Sequence, residues 1–515
     1  MLYCERRLLL KSLALGSAVA AMGPLRSHAA AQSAQRALPP GKYPENFLVH
    51  NDLPWALETR RSRYGIAPIT PQSAFFVRNN LPTPPASIVD NRQQWRVDVV
   101  GTKDTGSLSL AELQSLPVHV IATVLQCSGN GRAFFPHHPS GSPWGVGAAG
   151  CALWTGVRIG DVIERFGGAA GEDTEFLTTT GAEPLPPGVD PEQVVVERSV
   201  PLEKGRRDCL LVWEMNGAPL PLVHGGPLRL IVPGYYGVNN IKWVKRIALT
   251  SGQSGAHIQQ SGYRFRPVDD AGGPQHPTMW RMPVKSWLNG PGADGEPVLR
   301  GRVWLHGVAF SGERGIDGVE VSGDEGSSWH AAQLLGPDLG PNAWRSFVFP
   351  VELETGRHRF VSRATDTQGD SQPREAVMNQ RGYGHNGWLD PALAIDVVAK
   401  LPAAQSRPAA QAPAASTGAA AAVASERAAD LSPLAQEGRA IFLQRAQPAC
   451  GVCHRLADAG TQGPVGPNLD VLQPTAARVR AAVSHGVGAM PSFGAQLSKH
   501  EIDALAAYVA EATAP

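Results

Sequence analysis

"TVLQCSGNGRAFF", residues 123–135, carries an apolar run into a turn and leaves a single cysteine at the junction. Val124-Leu125-Gln126 predicts a short strand, Ser128-Gly129-Asn130-Gly131 ends it, and Arg132 follows as a nearby cation. Six cysteines in 515 residues do not make a disulfide framework, so this thiol needs its own explanation. Three are open: a buried small hydrophobe, a hydrolase nucleophile, or a soft thiolate ligand for a transition metal. The nucleophile needs a base and an oxyanion hole, and the chain shows neither G-x-S-x-G nor a familiar Cys-His pattern.

Around this stretch, residues 45–279 mix strands ("WRVDVVG", "RLIVPG", "VKRIALTS") with short helices ("SLAELQSL", "RIGDVIERFGG"). Their Gly and Pro content predicts an irregular α+β domain rather than alternating βαβ units. Residues 280–398 alternate apolar and polar positions, as in "VLRGRVWLHGVAFSG" and "HRFVSRATDTQG", with "SGDEGSSW" as a hairpin loop. They predict an immunoglobulin-like β-sandwich. Residues 401–430 are Ala, Pro, Gln and Ser with few large apolar side chains, the composition of a linker. Residues 431–515 predict an all-α module. "SPLAQEGRAIFLQ" is an amphipathic helix with Leu434, Ile441 and Phe442 on one side, and "SKHEIDALAAYVAEA" is another, capped by Ser498 with Glu501. The expected fold class is therefore multidomain.

A net charge of +1 gives no basic footprint for nucleic acid. Residues 1–31 hold Arg6-Arg7, a modest apolar run, and then Ala29-Ala30-Ala31, the order of a twin-arginine-type signal peptide. The run is shorter than the ~20 residues of a spanning helix. The expectation is a cleaved signal, export of a folded protein to the periplasm, and no membrane span afterwards.

Cys450-Gly451-Val452-Cys453-His454 is C-x-x-C-H, whose two thiols reach the vinyl groups of one haem while the histidine takes an axial position. A redox C-x-x-C needs no such histidine, and a zinc site needs a second ligand pair that is missing. Met490, in "VGAMPSFG", is the expected second axial ligand, with His485 as its competitor. "VGPNL" at 465–469 resembles class I cytochrome c, in which the proline carbonyl, here Pro467, orients the axial histidine.

Six ordered segments resemble the sulfite oxidase family of molybdenum enzymes: "FFVRNNLP" (75–82), "QCSGNGR" (126–132), "PWGVGAAGCALWTGVRIGDVI" (143–163), "VWEMNGAPLPLVHGGPLRLIVPGYYGVNNIKWVKRI" (212–247), "QQSGYR" (259–264) and "NQRGYGHNGW" (379–388). The resemblance implies that Cys127 is the protein ligand to molybdenum, beside a pterin dithiolene. It implies that Arg78, Arg132 and Arg381 are the pocket arginines, with Trp144 as pocket wall and Tyr263 as pocket hydroxyl. It assigns the pterin's polar edge and phosphate to His224, Arg229 and Lys242, with Ile241 and Asn240 beside them. Phe76, Val77, Asn79 and Asn80 form its first cradle, and Glu183 an acidic contact. Asn80 and Asn240 stand where animal enzymes carry histidines, and Asn239 where they carry an arginine. Cys151 and Cys209 match no ligand position and read as buried structural thiols.

The resemblance further implies sulfite oxidation to sulfate at the molybdenum-pterin centre, with electrons passed through the fused haem to a soluble cytochrome c or another periplasmic acceptor. It implies a homodimer through the β-sandwich. The linker's random-coil span of about 30 Å lets the haem approach the molybdenum face and swing away. Alternatives are a sulfane- or thiosulfate-pathway dehydrogenase of the same family, a nitrate reductase, against which Arg381 in its motif argues, and a haem electron carrier whose large domain has lost its metal.

Overall fold

A computed structural model describes residues 37–402, 431–463, 465–487 and 490–514. The expected signal at 1–31 and most of the expected linker at 401–430 lie outside the described residues. Among the described residues, no helix is long and apolar enough to cross a membrane.

The first domain is built from three small sheets with short helices between them. A three-stranded sheet pairs Phe47–Asp52 with Trp55–Thr59 and Trp55–Thr59 with Val77–Arg78. In a second sheet, Ala149–Arg158 lies between Val118–Gln126 and Leu210–Met215, which also pairs with Ala218–Pro219 and Arg229–Ile231. A third runs Gly106–Ser109, Arg96–Val100, Val244–Thr250, Phe176–Gly181 and Glu197–Pro201. Its one parallel pair, Val244–Thr250 with Arg96–Val100, joins chain segments far apart in sequence. The domain begins before residue 45, because Lys42 is already buried in it.

The β-sandwich has a four-stranded sheet (Val284–Gly290, Gly301–Ser311, Arg345–Leu353, Gln333–Leu335) facing a five-stranded one (Val298–Leu299, Leu393–Val398, Gly356–Asp366, Ile316–Ser322, His330–Ala331). Leu305, Val321, Phe347 and Ile395 fill the space between. The two domains share apolar packing. Trp287 and Trp344 pack edge-on against each other and against Tyr64 of the first domain, and all three are buried. Arg61 ties the same seam by donating to the carbonyls of Leu288, Pro391 and Ala392.

The C-terminal module packs Pro433–Ala440, Ala476–His485 and Lys499–Ala512 around Phe442, Leu505 and Tyr508. Ser498 and Glu501 form the expected capping box. The expected face of the first helix is different from the observed one. Leu434 is 37% exposed, while Ala435 and Gly438 turn inward with Ile441 and Phe442. The cause is a close helix crossing: a Cβ on Gly438 would lie 2.0 Å from the Ala504 carbonyl oxygen, so that face admits only small residues.

Candidate active site

Strand Val118–Gln126 ends where Cys127 enters the turn, and several bonds hold that turn in shape. The Cys127 amide donates to Ala148 O at 2.9 Å. The Asn130 side chain donates to Gln126 Oε1 and accepts from the Ala148 amide, both at 3.0 Å. Gly131 has φ +97°, and a Cβ there would sit 2.6 Å from His385 Cβ, so no other residue fits. Lys285, buried on the first strand of the sandwich, donates to the Asn130 carbonyl at 3.2 Å. The thiol is thus presented by a loop braced from both domains.

Cys127 is 7% exposed and lines two cavities at once, together with Arg78, Asn80 and Tyr263. The larger, of about 190 Å³, also takes in Arg132, Arg381, Tyr383 and the Ser140–Ser142 loop. Arg381 reaches it on the excursion between Gly356–Asp366 and Leu393–Val398, which brings a sandwich residue to the cavity that Cys127 lines. Arg132 Nε donates to the Arg381 carbonyl at 2.9 Å and Nη1 to Ser142 O at 2.9 Å. Its guanidinium lies 5.3 Å from the centre of the Tyr383 ring, which stacks on Tyr263 at 5.1 Å. Tyr263 donates to Asn80 Oδ1 at 3.0 Å, and burial pushes its hydroxyl up to about 12, so it stays protonated. Arg381 Nε is buried without a partner among the described residues, and Nη1 donates to the Gly486 carbonyl. Four arginines (Arg78, Arg132, Arg381, Arg478) and no carboxylate line this cavity among the described residues. Such a surface favours a small anion.

Trp144 does not line either cavity. It is fully buried behind Cys127, edge-on to His50 at 4.9 Å, and so supports the wall rather than forming it. Nearby, the Glu58 carboxylate accepts from the amides of Gly145 and Gly147 at 3.1 and 2.9 Å, which fixes this loop.

The narrower cavity, of about 60 Å³, is lined by Phe76, Asn79, Asn80, Glu183, His224, Arg229, Asn240, Ile241 and Lys242 of the expected cofactor set. Val77 is the exception. Strand alternation turns it away into a small core with Phe47, Leu57 and Val223. Lys242 Nζ bridges Asn79 Oδ1 (2.6 Å) and Val223 O (2.7 Å), and burial lowers its pKa strongly. Arg229 Nε and Glu183 Oε2 are buried with no hydrogen-bond partner among the described residues. Burial raises the Glu183 carboxyl to about 8. Unpaired buried donors and acceptors facing a cleft are what a pterin with a phosphate would satisfy, so these residues fit that group. Asn239 does not contribute: its side chain accepts from Arg198 and donates to the carbonyls of Tyr236 and Met279. Asn240 reaches the cavity, but its amide is engaged by Val232 N and by the carbonyls of Tyr235 and Tyr236.

In the C-terminal module, Cys450 and Cys453 lie on one short helix and line the larger cavity with His454, Val465, Pro467, Val483, Met490 and Phe493. His454 Nδ1 lies 3.1 Å from the Pro467 carbonyl, which takes its proton and leaves Nε2 for a metal. Burial lowers its pKa, keeping the ring neutral. A Cβ on Gly466 would lie 2.5 Å from the imidazole, so that glycine makes room for it. Two thiols, a neutral imidazole, a thioether and apolar walls fit a covalently bound haem. His485, at the end of its helix, does not line the cavity; Met490 does. Cys151 and Cys209 are fully buried, and burial pushes the Cys151 thiol to about 12 and Cys209 beyond the usual range.

The haem module faces the thiol. Arg478 Nη2 lies 3.5 Å from the Gly141 carbonyl, and Val465 and Cys453 pack with the large domain's core. Arg478 and Tyr383 line the larger cavity without having been expected: Tyr383 lies within "NQRGYGHNGW", whereas Arg478 carries no local signal.

Three family profiles match the chain: "oxidoreductase molybdopterin binding domain" at residues 81–258, "Mo-co oxidoreductase dimerisation domain" at 276–395, and "cytochrome C oxidase, cbb3-type, subunit III" at 433–509. Mitochondrial sulfite oxidase of Rattus norvegicus is 33% identical over 339 residues, covering 62% of this chain and 60% of the rat protein. The chain thus spans less than two thirds of that relative. Sulfite oxidase of Gallus gallus is 33% identical over 338 residues, covering 62% of this chain and 72% of the chicken protein. The crystal structure of the sulfane dehydrogenase SoxCD from Paracoccus pantotrophus shares the fold, with a TM-score of 0.57 at 24% identity over 67% of this chain and 87% of that one.

Proposed function

Because the chain belongs to the sulfite oxidase family, we propose that it oxidises sulfite to sulfate and passes the electrons through its own C-terminal haem to an external acceptor. The observation that carries this reading is the lining above Cys127: four arginines and two tyrosines with no carboxylate. When bound, the molybdenum-pterin group supplies oxygen-atom transfer and the haem supplies one-electron relay.

The chain's own residues bind, orient and exclude water. Cys127 would supply the sulfur ligand to the metal, and His224, Arg229, Lys242 and Glu183 would hold the pterin. Arginine forks match two oxygens of a sulfur oxyanion at once, which orients the sulfur lone pair toward the metal side of the cavity. Arg132 is held by two backbone carbonyls and the Tyr383 ring, so little side-chain freedom is lost when the anion arrives. Tyr263, protonated at physiological pH, gives its one proton to Asn80 Oδ1 and stands in the pocket as a fixed neutral hydroxyl. Pro467 sets the tautomer of His454, which would ligate the haem iron, and Met490 would supply the second ligand from the same cavity lining. The physiological setting of this reading is the periplasm after twin-arginine export, as a homodimer through the β-sandwich, with a soluble cytochrome as acceptor.

The test is stoichiometry and product together. The purified chain should hold one molybdenum and one haem, and should form sulfate from sulfite while reducing an external cytochrome c. Molybdenum-loaded protein that reduces nitrate or oxidises only thiosulfate would refute the substrate. Haem-loaded protein without molybdenum would refute the enzyme.

A further inference from the structure

Lys42 lies outside every motif, in the turn that enters the first strand, and is 7% exposed. Its ammonium meets three acceptors: the Gln72 carbonyl, the Phe75 carbonyl at 2.8 Å, and His224 Nε2 at 2.8 Å. Burial lowers the Lys42 pKa to about 7, so at pH 6 and below the group is an ammonium, with three hydrogens and no lone pair. Two hydrogens go to the carbonyls, so the third goes to Nε2, and the imidazole's single proton must sit on Nδ1. Among the described residues the ring's one hydrogen-bond contact is at Nε2, and the ring lines the narrower cavity. The ring's orientation is fixed as well. Phe75 packs edge-on against it at 5.5 Å, and Arg229 Nη1 donates to the His224 carbonyl at 2.9 Å. Burial first, then Lys42, Lys242 and Arg229, hold its pKa well below the usual histidine range, so the ring is neutral.

We propose that Lys42 is a positioning residue that locks His224 as the Nδ1–H tautomer, so that a fixed neutral donor faces the polar edge or phosphate of the pterin. The proposal rests on the assignment of the narrower cavity to the pterin. The segment just before the first strand thereby becomes part of the cofactor site, although Lys42 itself does not line it. A histidine without this lysine would exchange between tautomers and present a donor only part of the time.

The experiment uses the full-length, cofactor-loaded protein at pH 6, where Lys42 is an ammonium, with its haem reduced to the diamagnetic state and its histidines labelled with ¹⁵N. His224→Gln identifies the resonance. The expected wild-type pattern is a protonated Nδ1 and an unprotonated Nε2, moving toward the Nε2–H form or a mixture in Lys42→Met. Pterin release, followed by the fluorescence of the freed and oxidised pterin, should be about tenfold faster in Lys42→Met, the scale on which an outer-shell partner acts. An Nε2–H tautomer in the wild type, or an unchanged ring pattern in Lys42→Met, overturns the proposal. Should Lys42→Met fail to fold, the wild-type pattern alone decides. A tautomer that moves as expected with unaltered pterin retention keeps the lock but removes the pterin from this cavity.

Discussion

Replacing Arg381 with methionine removes one guanidinium from the anion pocket while leaving much of its surroundings in place. The side chain is 2% exposed, its Nε has no partner, and Nη1 reaches Ser140 Oγ at 3.5 Å and the Gly486 carbonyl. Arg132 is anchored on the main-chain carbonyl of residue 381, a contact that any side chain preserves. The variant should therefore lose its own charge-assisted contact to sulfite without displacing Arg132. Such a contact is worth about 2–3 kcal/mol, or roughly 30- to 150-fold. The loss should appear mainly in KM, with a smaller fall in kcat, because the group binds the anion and does not touch the metal. Stability should hold or rise, since a buried cation beside Arg132 is removed and methionine fills a similar volume. The assay is the sulfite dependence of turnover at low and high salt, with a small artificial oxidant that bypasses the haem, run beside the haem-dependent reaction. The bypass isolates anion binding. The haem-dependent rate also reports the lost contact to Gly486. Wild-type kcat and KM at both salt concentrations would show that the arginine pocket does not bind the substrate.

Three further changes test other parts of the site. Cys127→Ser should abolish sulfite-driven haem reduction and leave the haem spectrum intact, because a hard hydroxyl replaces a soft ligand; substantial residual turnover would count against the ligand assignment. Met490→Ala should lower the haem potential and remove the weak sulfur–iron band near ~695 nm from the oxidised spectrum, while sulfite still reduces the molybdenum; an unchanged spectrum would move the role elsewhere. Glu183→Gln should stabilise the pterin-free protein more at pH 8.5 than at pH 5.5. The folded carboxyl is raised to about 8, so the fold binds its proton more tightly and loses stability as pH rises from the unfolded value of 4.5 through 8. The difference is on the order of 4 kcal/mol at most, read as the melting temperature of both proteins at the two pH values; equal gains would show that Glu183 is already ionised.

The parts of the site written into short spacing were legible. C-x-x-C-H and the Cys127 turn show in sequence because thioether attachment and a tight turn demand fixed residues at fixed offsets. The sandwich strands showed by their two-residue period. Arg381 was legible only through the ordered motifs, since no local pattern says that a sandwich loop returns over residue 127. Lys42 was not legible: its acceptors at 72, 75 and 224 belong to other elements, and a turn lysine ordinarily reads as solvated. Leu434 misled because an apolar periodicity does not show that the crossing helix comes close enough to select Ala435 and Gly438 instead. Asn239 stands where animal enzymes carry an arginine, but the buried Arg198, which no motif singled out, engages its side-chain oxygen.

If one chain carries sulfite oxidation and haem reduction together, with the haem module seated over the thiol pocket, sulfite must reduce the haem within a single molecule. Anaerobic stopped-flow mixing of the oxidised full-length protein with excess sulfite, followed at the haem absorbance, measures this step. First-order haem reduction is expected, with a rate constant independent of protein concentration and no reduction by nitrate. A rate that scales with protein concentration, or a haem that stays oxidised in molybdenum-loaded protein, would contradict it.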